Sequence, residues 1–131
     1  MKNTFTKAER ISIQREIDLL FAEGQSFMAY PLRVIHFRKK PYSGVVCSIL
    51  ISVPKKRLKH AVDRNYIKRL IREAYRTNKH SFVEQIQDTG FLIAFVYVGN
   101  QTPSYSDIEK AVKKALNTVC KSKLQITNYD A

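Results

Sequence analysis

The sequence predicts a two-layer α+β domain, a small sheet packed against helices. Three observations carry this reading. Two apolar runs, Val45 to Val53 and Phe91 to Val98, have the continuous, β-branched character of strands covered on both faces. Three other segments repeat their apolar residues at helical spacing. The 131 residues hold no internal repeat, no low-complexity segment and no linker long enough to divide them, so a single domain, 1–131, is expected, with an ordered core of about 5–124.

Each element has its own signals. Ser12 is a good N-cap for a first helix, Ile13, Ile17, Leu20 and Phe21 supply its apolar spacing, and Gly24 suits the position just past its end. Ser26 to Ala29 is a candidate short strand, and Leu32 to Arg38 reads as another, entered through Tyr30-Pro31. Pro41 to Gly44 marks a turn. Pro54 ends the Val45–Val53 strand, and Lys55 to His60 forms a short basic crossover into a second helix. Asp63 is the candidate N-cap of that helix and Thr77-Asn78 its exit, which leaves His80 to Thr89 as loop or a ragged helical end. After the Phe91–Val98 strand and the loop Gly99 to Pro103, Ser106-Asp-Ile-Glu109 has the pattern of a capping box. It opens a last helix with the apolar stripe Ile108, Ala111, Val112, Ala115, Leu116 and Val119, and the tail after Lys123 is expected to fray.

The second helix says most about function. Ten Lys or Arg lie between Lys55 and Lys79, against two acids, Asp63 and Glu73. At about 100° per residue, Ile67, Leu70, Ile71 and Ala74 gather on one side. Arg64, Lys68, Arg69, Arg72 and Arg76 fall on the other, with Asn65 among them. The chain as a whole carries 23 basic and 11 acidic residues, a formal charge of +12. Such an excess argues about partners, and a phosphate backbone is the natural one, because neutralising phosphates releases condensed counterions. A generic solubilising charge would be spread evenly, whereas this one clusters on one helix. An anionic membrane surface is the other alternative, but the face opposite the charges has the pattern of a core stripe.

Other chemistries find little support. Cys47 and Cys120 belong to no CxxC pattern and read as reduced thiols of a cytosolic protein, Cys47 in a buried run. His36, His60 and His80 lack the spacing of a helical metal pair and read as isolated strand or surface histidines, with phosphate contact a secondary role for the two that flank the basic helix. There is no Gly-rich phosphate loop and no nucleophile elbow. A protein-based nuclease would need clustered acids for its metal ions. The eleven acids are scattered instead, so no catalytic and no metal-binding residue is expected in the protein itself. Met1 to Arg10 has no apolar segment of signal-peptide type, and the longest apolar runs are too short to span a bilayer. A cytoplasmic location without a membrane partner is expected.

The segment from Ser52-Val-Pro-Lys-Lys through Ala61-Val-Asp-Arg-Asn-Tyr-Ile-Lys-Arg69 to Arg72-Glu-Ala-Tyr-Arg76 resembles the signature of the protein component of bacterial ribonuclease P. The likeness extends to Ile17-Asp-Leu-Leu-Phe21-Ala-Glu-Gly24 and to the last strand and helix, roughly Phe5 to Leu124 in all. The resemblance implies an α-β-β-β-α-β-α domain with a left-handed βαβ crossover, like the second domain of ribosomal protein S-five. Right-handed crossovers are otherwise the near-universal rule, so composition gives no sign of this hand. It also implies a role. The catalytic subunit is an RNA that, with Mg2+ bound mainly by that RNA, removes the 5′ leader of precursor tRNA by endonucleolytic cleavage. One protein per RNA binds both the ribonuclease P RNA and the leader.

Carried over residue by residue, Arg64, Asn65, Tyr66, Lys68, Arg69, Arg72 and Arg76 match the part that binds the catalytic RNA. Guanidinium groups suit bidentate phosphate contacts, while Asn65 has a competing role in a local hydrogen bond at the helix start. Tyr66 stands where the family usually has a second motif arginine, which removes a charge but leaves a phenol that can stack or donate to a phosphate. Lys55 and Lys56 match the paired lysines at the strand exit, beside the expected cleft and metal region, with a solvated loop as the alternative. Phe21 matches a cleft aromatic able to stack on a leader base, with core packing as the competing role. Ile17 stands where many members carry another aromatic. The strand from Leu32 to Phe37 is expected to line the cleft through either Arg33, Ile35 and Phe37 or Val34 and His36, since a slip of one residue exchanges the two sets. A different RNA-binding module of similar fold and a major-groove DNA-binding protein are the other readings. The latter lacks a neighbouring helix at helix-turn-helix spacing.

Overall fold

The computed structural model of the chain describes residues 14–38, 47–86 and 90–125. The expected cap at Ser12, the turn Pro41 to Gly44 and the start of the Val45 run lie outside them. The elements are α1 (Gln14–Glu23), β1 (Gln25–Ala29), β2 (Leu32–Arg38), β3 (Cys47–Ser52), α2 (Ala61–Gln85), β4 (Phe91–Tyr97) and α3 (Tyr105–Gln125). The strands form one sheet in the order β1-β2-β4-β3, antiparallel except for the β3–β4 pair. The fold is α+β with an open mixed sheet, and the short strand at Ser26 to Ala29 is part of it.

Burial follows position in the sheet. Phe91 to Phe95 of the central strand β4 are all buried, as a run apolar on both faces requires. The Val45–Val53 run behaves differently from expectation. Its strand β3 is an edge, buried at Cys47, Ser48 and Ile49 but only half-buried from Leu50 to Ser52, because neighbouring backbone covers one side alone.

The two sheet faces are unequal. Leu32 and Val34 of β2, Ile49 of β3, and Phe91, Ile93, Phe95 and Tyr97 of β4 pack with α2 and α3 in the main core. The other face carries Ile35, Leu92 and Ala94, covered by Leu20 of α1 with Ile17 against it. Among the described residues, α1 is the only helix that packs on this second face. Its exit depends on Gly24, whose N–H donates to the Leu20 carbonyl at 2.9 Å. A Cβ at that position would stand 2.3 Å from the same carbonyl and 2.9 Å from Ile35 Cγ2.

Two helix boundaries depart from expectation. α2 begins after His60 rather than at Asp63, which sits in the first turn where its carboxylate suits the helix dipole. It also runs through Thr77-Asn78 to Gln85. Those two polar side chains do not compete with the helix, because they donate back to it: Thr77 Oγ1 to the Glu73 carbonyl at 3.0 Å and Asn78 Nδ2 to the Ala74 carbonyl at 2.8 Å. The buried stripe continues through Phe82, whose ring stands 6.5 Å from Phe91. In α3 the cap is Ser104, whose Oγ accepts from the Asp107 N–H at 3.2 Å, rather than Ser106. Glu109 does not close a capping box. Its Oε2 accepts instead from Asn78 Nδ2 at 3.3 Å and ties α3 to α2.

Candidate nucleic-acid interface

The sequence-predicted residues of α2 divide into two groups. Ile67, Ile71, Ala74 and Tyr75 are fully buried and set the helix's rotation. With that rotation fixed, Asn65, Tyr66, Arg69 and Arg72 are exposed. The Arg69 and Arg72 side chains make no ion pair or hydrogen bond among the described residues. Val62, 78 % exposed, and Tyr66 lie on the same arc as Arg69, seven and three residues before it. The arc therefore mixes guanidinium groups with an aromatic and an apolar surface.

Arg64 and Lys68 are half-buried at the edge of the core stripe, not on the open arc where the helical projection put them. The Arg64 guanidinium turns back on its own chain. Its Nη1 donates to the carbonyls of Leu58 at 2.9 Å and Lys59 at 2.8 Å, which fixes the crossover leading into the helix. Arg76 pairs with Glu73 one turn earlier, its Nε donating to Oε1 at 3.1 Å and its Nη2 to Oε2. The pair holds the Glu73 carboxyl below its ordinary range, chiefly through the hydrogen bond from Arg76. Lys55 and Lys56 are exposed in the turn that follows Pro54, where the Arg57 N–H donates to the Pro54 carbonyl at 3.0 Å.

On the α1 face of the sheet, register decides what the alternation of β2 left open. Arg33 pairs with Met28 and Val96, Ile35 with Ser26 and Ala94, and Phe37 with Leu92. Partners across a ladder share a face, so Arg33, Ile35 and Phe37 lie on the α1 side, with Leu50 of β3 packed there too. Val34 and His36 lie on the other side, Val34 in the main core and His36 between the rings of Phe27 and Phe91 at 5.7 and 6.1 Å. Burial pushes the His36 imidazole below its ordinary pKa. Phe21 is 48 % exposed and takes no part in the core, whereas Ile17 packs under α1. Met28, 53 % exposed, stands beside Arg33 as a further apolar surface that no sequence motif marks.

Among the described residues no group of His, Cys, Asp or Glu is placed to hold a metal ion, and no helix is long and apolar enough to cross a membrane. Neither Cys47 nor Cys120 is in a disulfide, and Cys47 is buried. The Cys120 thiol lies 2.7 Å from Gln85 Oε1.

Comparison with known proteins bears on what this surface is for. The family model for Ribonuclease P matches residues 5–120. The Ribonuclease P protein component of Porphyromonas gingivalis is 41% identical over 113 residues, 85% of this chain and 82% of that one. Its counterpart in Chlorobium phaeobacteroides is 29% identical over 136 residues, 93% of this chain and 92% of that one. Among solved structures, the RNase P protein of Staphylococcus aureus superposes with a TM-score of 0.67 at 23% identity, covering 86% of this chain and 96% of that one. The RNase P protein of Thermotoga maritima gives 0.54 at 26% identity, covering 89% and 93%.

Proposed function

The chain belongs to the ribonuclease P protein family, and on that premise we propose that it binds the catalytic RNA of ribonuclease P and the 5′ leader of precursor tRNA, assisting magnesium-dependent removal of that leader. Membership carries a role in 5′ processing of tRNA and association with an endoribonuclease. The observation that supports the finer reading is the open arc of α2, where Asn65, Tyr66, Arg69 and Arg72 face outward from a fully buried stripe.

In this reading the guanidinium groups of Arg69 and Arg72 clamp RNA phosphates, and Tyr66 stacks or donates where another arginine would add charge. Arg76 adds its charge at the far end of the arc, and Arg64 and Lys68 support it from the edge. Lys55 and Lys56 raise the positive potential at the strand exit. The α1 side of the sheet receives the leader, with Phe21 as a stacking surface and Arg33 as a phosphate partner beside it. Ile17 contributes by packing. The protein supplies no catalytic residue. Cleavage is carried by the RNA with its magnesium.

The test is affinity of the catalytic RNA, with and without this protein, for precursor and for mature tRNA. The expected result is that the protein tightens precursor binding and leaves mature tRNA nearly unchanged. Equal tightening of both would remove the leader from the account.

A further inference from the structure

α3 carries a second basic stripe that the family signature does not include. Lys110, Lys113, Lys114, Asn117 and Lys121 are all exposed and recur at three- and four-residue spacing. They lie opposite the buried Ile108, Ala111, Val112, Ala115 and Val119. At about 1.5 Å per residue the stripe is roughly 16 Å long. None of its four lysine side chains makes an ion pair or hydrogen bond among the described residues. Like charges three and four residues apart work against a helix, whereas a merely solvated face gains from mixed signs. Asp107 belongs to the first turn, and Glu109, next to Lys110 in the chain, is turned toward Asn78 of α2.

Two concavities border this stripe. Lys113 and Asn117 line a groove of about 220 Å³ against Asn78 and Gln85 of α2, a wall rich in amides. Lys110 lines a cavity of about 420 Å³ at the end of the sheet, together with Tyr30, Pro31, Tyr97, Gln101 and Asp107. Tyr30 is 64 % exposed there. A line of unpaired lysines ending at an open aromatic ring is the arrangement that holds an unstacked strand, with phosphates on the charges and a base on the ring.

We propose that α3 is a second RNA-binding surface, which holds single-stranded RNA by its phosphates along Lys110, Lys114 and Lys121 and stacks a base on Tyr30. It goes beyond the function proposed above, because α3 packs on the sheet face opposite α1 and shares no residue with the α2 arc. The strand comes from an unpaired segment of either the catalytic RNA or the precursor tRNA, and the chemistry is the same in both.

The test combines Lys110→Ala, Lys114→Ala and Lys121→Ala in one variant, with Tyr30→Ala as a second and thermal melts to verify folding. Binding is measured across a salt titration to an unstructured oligoribonucleotide, to an RNA hairpin duplex, to catalytic RNA alone and to precursor tRNA alone. The triple variant is expected to lose about tenfold or more in oligoribonucleotide affinity near physiological salt, with its log–log salt slope reduced by about two. Tyr30→Ala is expected to lose about fivefold or more. The larger loss, with catalytic RNA or with precursor, identifies the source of the strand. Wild-type affinity and slope in the triple variant, while Arg69→Ala with Arg72→Ala still weakens binding, would overturn the α3 surface and leave the α2 reading standing. Unchanged binding in both sets would overturn both. An equal loss for the duplex would overturn the single-strand assignment, and wild-type affinity of Tyr30→Ala would overturn the stacking step.

Discussion

Leu20 and Phe21 are neighbours on α1 with different roles: Leu20 is fully buried against Ile35 and Leu92, and Phe21 faces solvent. Core packing is therefore not what holds Phe21 in place, and Phe21→Ala is expected to leave thermal stability within about 0.5 kcal/mol of wild type. It is expected to weaken precursor tRNA binding in the RNA–protein complex several-fold more than mature tRNA binding. Equal losses for both tRNAs would contradict the leader role. Spacing alone could not separate the two residues, since both fall within the apolar arc of a short helix. His36 poses the same problem in a strand. Its register turns it into the helix-covered side, between Phe27 and Phe91, and burial lowers its pKa from the ordinary 6.5. Folding thus favours the neutral ring, and the unfolded chain binds more protons between the lowered value and 6.5. The contribution of His36 is fully present above about pH 6.5 and is lost as pH falls below it. Denaturant midpoints measured across that range are expected to fall with acidification, and more steeply in wild type than in His36→Leu. Parallel profiles would show that His36 is not the group responsible.

The helices were legible in their buried stripes and less so at their ends. Every apolar residue assigned to the last helix is buried, but Ser106-x-x-Glu109 copies the pattern of a cap that Ser104 in fact supplies. Ser104→Ala is expected to cost about 1 kcal/mol and Ser106→Ala almost nothing in equilibrium unfolding, and the reverse order would restore the sequence assignment. Thr77-Asn78 likewise looked like an exit because both residues favour turns, yet each bonds a carbonyl of the preceding turn and lets α2 continue to Phe82. The charged arc of α2 was visible from periodicity, but the division within it was not. Arg64 spends its guanidinium on the Leu58 and Lys59 carbonyls, a contact between segments that a helical projection does not represent. Arg64→Ala is accordingly expected to lower stability by about 1 kcal/mol, while Arg69→Ala and Arg72→Ala leave stability unchanged and each reduces the salt slope of RNA binding by about one. Thermal melts and salt titrations on the three variants check this. A stable Arg64→Ala with weakened RNA binding would move Arg64 into the interface.

At the scale of the molecule, the α+β class followed from two apolar runs and three helical periods, and the full element order with β1 followed from the family resemblance, while the roles of the sheet's two faces followed from neither. Which of the alternating residues of β2 lie under α1 depends on pairing with β1 and β4, a non-local fact fixed by cooperative packing. The result is a small sheet with α2 and α3 on one face and α1 on the other, and with exposed basic residues on both α2 and α3. A formal charge of +12 on 131 residues makes that surface attractive to polyanions at long range. The central claim is that the chain works as the protein partner of a catalytic RNA in freeing the 5′ end of tRNA. The most direct measurement is cleavage of precursor tRNA at low magnesium by a bacterial ribonuclease P RNA, with and without this protein. The account predicts cleavage at the mature 5′ end that requires RNA and protein together. Cleavage by the protein alone, or no stimulation of any such RNA despite salt-sensitive binding, would contradict it.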